Sequence, residues 1–141
     1  MKPFNILLIL SLIVIGVGFV FFKDGFFTKS SNSEILMDRV NYRNYSDQNL
    51  ASAQKNGRPV LFFAATIWCQ TCQTLEKEIK ERGNSLPPDV TILKVDYDND
   101  KEMKRKWGII MQHTLIVLDQ NGNENKRWIG GNLDALIQNL N

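Results

Sequence analysis

The chain has 141 residues, with 17 basic and 15 acidic side chains, so its size allows one ordinary domain and its charges nearly cancel. Because both signs are spread along the sequence and no basic stripe with interleaved aromatic residues is present, we do not expect nucleic-acid binding. Two cysteines are too few for a disulfide-dense scaffold, so the domain must depend on a packed core and the cysteine pair is free for another role.

An uncharged apolar run extends from Phe4 to Phe22 and ends at Lys23. At about 1.5 Å per residue, a helix of that length just spans the hydrocarbon core of a bilayer. The run is long for the core of a signal peptide and no A-x-A-like site follows it, so we expect residues 1–22 to be an uncleaved signal anchor, with a cleaved signal as the alternative. The domain would then be membrane-anchored through residues 4–22 and extracytoplasmic, in the periplasm or on the outer face of the cytoplasmic membrane.

Residues 23–41 are mostly polar and are expected to be a tether, whereas residues 42–141 are expected to form the folded domain. Helical and strand patterns alternate along this domain in the order α-β-α-β-α-β-β-α. Strands separated by helices imply parallel crossovers, and the turn at Asn121-Gly122 adds an antiparallel hairpin. The predicted fold is therefore α/β, with a mixed four-stranded central sheet flanked by helices.

Three residues serve as predicted helix boundaries. Ser46 and Asn132 are the expected N-caps of the first and last helices, and Gly57 is the expected left-handed stop of the first.

The two cysteines, Cys69 and Cys72, follow the apolar run VLFFAA and begin a predicted helix that extends to about Arg82. A helix N-terminus presents unpaired backbone N–H groups and the positive end of the helix dipole, which together stabilise a thiolate. The pKa of the Cys69 thiol should therefore lie below the free value of about 8.5. Cys72 lies one turn later and begins the apolar stripe of the helix, so it should be the more buried of the two and positioned to form a disulfide.

Several segments in the same order resemble thioredoxin. VLFFAATIWCQTC is similar to its strand, its Trp-Cys-x-x-Cys motif and the following helix, and ILKVDYDND is similar to its next strand, with Lys94 at the position of the family's lysine. KWGIIMQHTLIVLDQNG and WIGGNLDALIQNL resemble its closing hairpin and C-terminal helix, so the resemblance covers about residues 45 to 140. Membrane-tethered thioredoxin-like proteins and the C-terminal domain of the transmembrane thiol:disulfide interchange protein look similar.

This resemblance implies a thiol–disulfide oxidoreductase that needs no organic cofactor, because the redox-active group is the Cys69–Cys72 pair itself. Cys69 would be the nucleophile and Cys72 the resolving thiol. The expected active-site surface comprises Trp68, Gln70, Thr71, His113 and Thr114. Its partners would be protein thiols or disulfides and an unidentified redox partner.

The chain departs from the family pattern at two positions. Phe63 occupies the place of the buried aspartate that pairs with the family's lysine, here Lys94. His113, the single histidine, occupies the place of the family's cis-proline, and since a non-proline cis bond costs about 2.5 to 4 kcal/mol, the Gln112–His113 peptide is expected to be trans. His113 would either fill the volume of the proline or adjust the acidity of Cys69.

Three other functions are compatible with these residues. Cys69, Cys72 and His113 could act as a metal-binding or metal-delivery module for zinc or copper, although a closed structural zinc site requires a fourth ligand. The domain could instead bind a partner without catalysis, through the surface around Trp68. A purely structural disulfide is the third alternative, but so short a loop adds little stability.

Overall fold

A computed structural model describes residues 41–141 of the chain. The predicted signal anchor (1–22) and all of the predicted tether (23–41) except its last residue lie outside the described residues. Within residues 41–141, no helix is both long enough and apolar enough to cross a membrane.

Five strands form one mixed sheet in the described part of the chain. They are β1 (Tyr42–Asn44), β2 (Arg58–Ala64), β3 (Val90–Asp96), β4 (Thr114–Leu118) and β5 (Glu124–Ile129), arranged in the order β1-β3-β2-β4-β5. Strands β1, β3 and β2 run parallel, whereas β4 is antiparallel to both β2 and β5. The expected α/β class and the antiparallel hairpin are therefore confirmed.

The predicted count of four strands was wrong, because β1 is a fifth. This strand has only three residues, so its sequence shows no alternating pattern, and it exists because Tyr42, Arg43 and Asn44 pair with β3. Its first residue, Tyr42, is 2% exposed and contributes to the core.

Four helices accompany the sheet: α1 (Asp47–Asn56), α2 (Gln70–Arg82), α3 (Lys101–Trp107) and α4 (Leu133–Leu140). Both predicted N-caps are confirmed, since the Ser46 hydroxyl accepts a hydrogen bond from the Asn49 amide at 3.1 Å and the Asn132 side chain accepts one from the Ala135 amide at 3.0 Å. Such caps satisfy amide groups that have no partner within the helix.

The expected left-handed conformation of Gly57 was wrong, because its φ of 163° is extended backbone. Glycine is required there for a different reason. A Cβ at this position would lie 2.0 Å from the carbonyl oxygen of Asp89. This close approach aligns β2 with β3, since the Arg58 amide donates to the same oxygen at 2.7 Å.

The helices cover both faces of the sheet and produce two core layers. On one face, α2 and α4 pack against the alternate β2 residues Val60, Phe62 and Ala64. On the other, α1 and α3 pack in the layer that contains Leu61 and Phe63. Strand β2 is thus buried on both sides, and its carboxyl end leads directly into the loop that carries the cysteines.

Candidate functional site

A short exposed loop connects the buried end of β2 to the first turn of α2. Cys69 is the N-cap residue of α2, and its sulfur accepts a hydrogen bond from the Cys72 amide at 3.2 Å. The Gln73 side chain, one turn into the helix, donates to the carbonyl oxygens of Thr66 at 2.9 Å and Ile67 at 3.1 Å. These bonds fix the loop against the helix, so that the sulfur of Cys69 lies at the helix N-terminus, as predicted.

Cys69 and Cys72 form a disulfide, with 5.2 Å between their Cα atoms. Cys72 is 1% exposed and Cys69 is 4% exposed, so the predicted order of burial is correct. Both values are low, so a substrate can reach the pair only through the small exposed fraction of Cys69. Both cysteines are therefore buried, Cys72 slightly more than Cys69.

His113 lies beside this disulfide. Its Nδ1 is 2.9 Å from the Thr71 hydroxyl oxygen, which in turn is 3.4 Å from the sulfur of Cys69. The peptide before His113 is trans, as expected, since the described residues include no cis bond. This arrangement favours the interpretation that His113 adjusts the acidity of Cys69, because the Thr71 hydroxyl links the imidazole to the sulfur. The alternative, that His113 only fills the volume of a proline, does not account for this link.

The backbone of His113 adopts an unusual conformation. Its φ of 57° is the only positive value at a non-glycine residue in residues 41–141. This left-handed conformation costs roughly 1–2 kcal/mol for a residue with a side chain. Two backbone hydrogen bonds maintain it, from the His113 amide to the Phe63 carbonyl at 2.7 Å and from the Gly130 amide to the His113 carbonyl at 2.8 Å.

The imidazole itself is buried. His113 is 3% exposed, its ring packs edge-on against the ring of Phe62 with 5.4 Å between centroids, and its Nε2 has no hydrogen-bond partner of ordinary geometry among the described residues. Burial lowers the pKa of His113, and a weak hydrogen-bonding interaction with the backbone of Gly131 raises it by a smaller amount. Burial therefore favours the neutral imidazole, in which one ring nitrogen is a hydrogen-bond acceptor.

The remaining predicted surface residues are located around the disulfide. Trp68 is 57% exposed, and its indole N–H donates to Asp98 at 3.0 Å, while Gln70 is exposed on the first turn of α2. Thr114 is buried, and its hydroxyl donates to the Met111 carbonyl at 2.7 Å, so it supports the loop rather than contributing surface. The expected surface role is therefore corrected for Thr114 and for His113, which are both 3% exposed.

Three exposed apolar side chains at this surface were missed by the sequence analysis: Ile67 (86% exposed), Ile110 (86%) and Met111 (47%). Ile67 precedes Trp68 in the cysteine loop, and the other two precede His113. The available signal was their position next to the active-site segments, since periodicity alone would assign such residues to a core. We call these three side chains and Trp68 the apolar rim, because they are exposed on the segments that lead into Cys69 and His113.

One charged residue of α2, Glu76, is less exposed than the alternation of apolar and charged residues along this helix would suggest. Its side chain is 16% exposed, and its carboxylate accepts hydrogen bonds from Lys94 at 3.1 and 3.2 Å and from Lys80 at 2.8 Å. Burial disfavours its charge, but the two lysines outweigh burial and hold the pKa of Glu76 below its usual value. Lys94, which pairs with a strand aspartate in the family, thus pairs here with a helix glutamate one turn after Cys72.

The proposed metal ligands Cys69, Cys72 and His113 are brought together, with one ligand atom of each within 4.8 Å of the others. Both sulfurs are joined in the disulfide, so they could ligate a metal only after reduction. The chain has no other cysteine or histidine, so the three residues do not fit a closed structural zinc site. We therefore assign no metal to this site.

Comparison with known proteins gives a consistent set of relatives. A sequence model of the family Thioredoxin matches residues 39–141. The chain is 35% identical over 82 residues to Thioredoxin H2-1 of Oryza sativa subsp. japonica, a match that spans 58% of this chain and 57% of that protein. It is 28% identical over 85 residues to a thioredoxin of Alicyclobacillus acidocaldarius, spanning 60% of this chain and 80% of that protein.

Solved structures show the same similarity. Trxlp from Edwardsiella tarda superposes with a TM-score of 0.58 and 28% identity, covering 69% of this chain and 95% of that chain. Thioredoxin NaTrxh from Nicotiana alata superposes with a TM-score of 0.58 and 26% identity, covering 70% of this chain and 89% of that chain.

Proposed function

Because the chain belongs to the thioredoxin family over residues 39–141, we propose that it is a thiol–disulfide oxidoreductase that acts on protein disulfides outside the cytoplasm. The observation that carries this function is the Cys69–Cys72 disulfide, placed where the N-terminus of α2 stabilises a thiolate on Cys69. The apolar rim of Ile67, Trp68, Ile110 and Met111 suits an unfolded or loosely folded polypeptide as the substrate.

In the reducing direction, the thiolate of Cys69 attacks one sulfur of a substrate disulfide, and a mixed disulfide forms as the other substrate sulfur leaves as a thiolate. Cys72 then attacks the sulfur of Cys69 and releases the second substrate thiol. The substrate gains two electrons and the Cys69–Cys72 pair is oxidised, so a dithiol of a separate redox partner must reduce the pair again. The oxidising direction is the reverse of these steps.

The extracytoplasmic location is supported by the sequence of residues 4–22, which has the length and the lack of charge of a signal anchor. The closer similarity that we propose is therefore to membrane-tethered members of the family and to the C-terminal domain of the transmembrane thiol:disulfide interchange protein. Added protease should digest the domain in spheroplasts with an intact cytoplasmic membrane. Protection of the domain until that membrane is lysed would contradict this location.

The reduction potential of the pair tests the proposed activity directly. We expect equilibration of the full chain in detergent with a thiol buffer, followed by counting of free thiols, to give a potential between about −120 and −270 mV, the range of exchange catalysts. Its place in that range would indicate the direction of electron flow. A potential well below about −300 mV together with slow exchange would instead indicate an inert structural disulfide.

A further inference from the structure

We propose that Thr71 and His113 form a proton relay for Cys69, in which the Thr71 hydroxyl transfers the proton of the Cys69 thiol to the buried imidazole. This inference deepens the proposed function and rests on it. Two contacts carry it: the Thr71 hydroxyl oxygen is 3.4 Å from the sulfur of Cys69 and 2.9 Å from Nδ1 of His113. A hydroxyl that contacts both groups can accept a proton from one side while donating its own to the other.

Each step conserves atoms and charge. The S–H bond of Cys69 breaks as its proton moves to the Thr71 oxygen, and the O–H bond of Thr71 breaks as its proton moves to Nδ1 of His113. The products are a thiolate on Cys69 and an imidazolium on His113, with the hydroxyl restored; burial disfavours the imidazolium, and the opposite charge of the nearby thiolate offsets this cost. No electrons are transferred in this step, which prepares the nucleophile for the exchange described above.

Burial determines the route of the proton. His113 is 3% exposed and its Nε2 has no hydrogen-bond partner of ordinary geometry among residues 41–141, whereas Thr71 is exposed on the first turn of α2. Nδ1 is therefore the side of the ring that exchanges protons, and Thr71 connects it both to Cys69 and to the surface. The strained φ of 57° at His113 is consistent with a backbone held in place to position this ring.

Other proton acceptors near the two cysteines already have hydrogen-bond partners. Glu76 is held ionised by Lys94 and Lys80, and Asp98 accepts the hydrogen bond of the Trp68 indole. The residue at the place of the family's buried aspartate is Phe63, which cannot accept a proton. The core layer around the disulfide also contains the thiol of Cys72 and the phenols of Tyr42 and Tyr97, and burial raises the pKa of Tyr42. Asp96, at the end of β3, accepts hydrogen bonds from the Asn99 side chain and from the amides of Asn99 and Asp98, which hold its pKa below the usual value.

The test compares Thr71→Val with Thr74→Val in the reduced full chain. Thr74 lies on the same helix, and its hydroxyl donates only to the Gln70 carbonyl, at 3.0 Å, so its loss controls for removal of a helix hydroxyl. Thiolate absorbance at 240 nm is recorded against pH, and the exchange rate is measured with a small disulfide. We expect Thr71→Val to shift the thiol titration to higher pH and to lower the exchange rate at pH 7 tenfold or more, with Thr74→Val unchanged and Thr71→Ser close to the original protein.

His113 provides a second readout, because it is the single histidine of the chain and gives one set of imidazole NMR signals. In the reduced protein its titration should show two steps shared with Cys69, and these should become one step in Thr71→Val. His113→Asn, a residue that tolerates positive φ, should lower the rate as much as Thr71→Val, and the double variant should lower it no further.

Two results would overturn the relay: a thiol titration of Thr71→Val that coincides with that of Thr74→Val, or independent, additive effects of the two substitutions. Absence of exchange in the unsubstituted chain would instead refute the proposed function, and the titrations would still report on the relay because they require no activity.

Discussion

Substitution of Cys69 by serine is expected to abolish disulfide exchange by the full chain, with a loss on the order of 10³-fold or more. The thiolate is the attacking species in exchange, and a serine hydroxyl neither ionises near pH 7 nor forms a disulfide. The sulfur of Cys69 is also the one at the helix N-terminus, and Cys72 is the slightly more buried residue of the pair. The rate of reduction of a protein disulfide, with an excess of dithiol to regenerate the pair, measures the loss.

Substitution of Cys72 by serine is the matched variant, because it removes the resolving thiol and leaves the nucleophile in place. A mixed disulfide between Cys69 and the substrate should then accumulate and appear as a larger band on a non-reducing gel. Accumulation of that adduct through Cys72 in the Cys69→Ser protein would mean that the two roles are reversed. Unchanged binding of a partner by both variants, without any exchange in the original chain, would favour a non-catalytic binding domain.

The pattern of the sequence predicts the large elements well because each is marked by its own composition. Strand β2 is a run of apolar residues buried on both faces, and α4 is capped by Asn132. The short strand β1 has no recognisable composition of this kind, since its three residues become a strand only through pairing with β3. The burial of Glu76 likewise depends on tertiary contact, because its partner Lys94 belongs to β3. The periodicity of the helix sequence carries no information about that strand.

The candidate site was predictable to a similar extent. The position of Cys69 and Cys72 at a helix start follows from local sequence, and the proximity of His113 follows from the resemblance to thioredoxin. The link through Thr71 does not follow from either. It depends on the left-handed backbone of His113, which is fixed by hydrogen bonds to Phe63 and Gly130, two residues far away in the sequence.

Strand register explains why Phe63 in place of the family's aspartate is compatible with this structure. Phe63 pairs with Val95 and Phe62 pairs with Lys94 in the parallel β2–β3 ladder. Because neighbouring residues on a strand point to opposite faces, the side chain of Phe63 lies on the face opposite Lys94. Phe63 is fully buried in the layer with Met103 of α3, whereas Lys94 bonds to Glu76 of α2 on the other face.

Restoring the family residue by Phe63→Asp should therefore destabilise the domain severely, by on the order of 4 kcal/mol in the free energy of unfolding at pH 7. The aspartate would leave a cavity and bury a carboxylate away from Lys94. Burial should raise the pKa of this new carboxyl group, so part of the loss should be recovered as the pH falls and the group is protonated in the folded state.

Urea unfolding of residues 41–141 at pH 7 and at lower pH measures both effects. Phe63→Leu, which keeps the site apolar, should cost only about 1 kcal/mol at either pH. An equal cost for the two substitutions at pH 7 would show that an aspartate at position 63 finds a partner, and that the face assigned to it from the register is wrong.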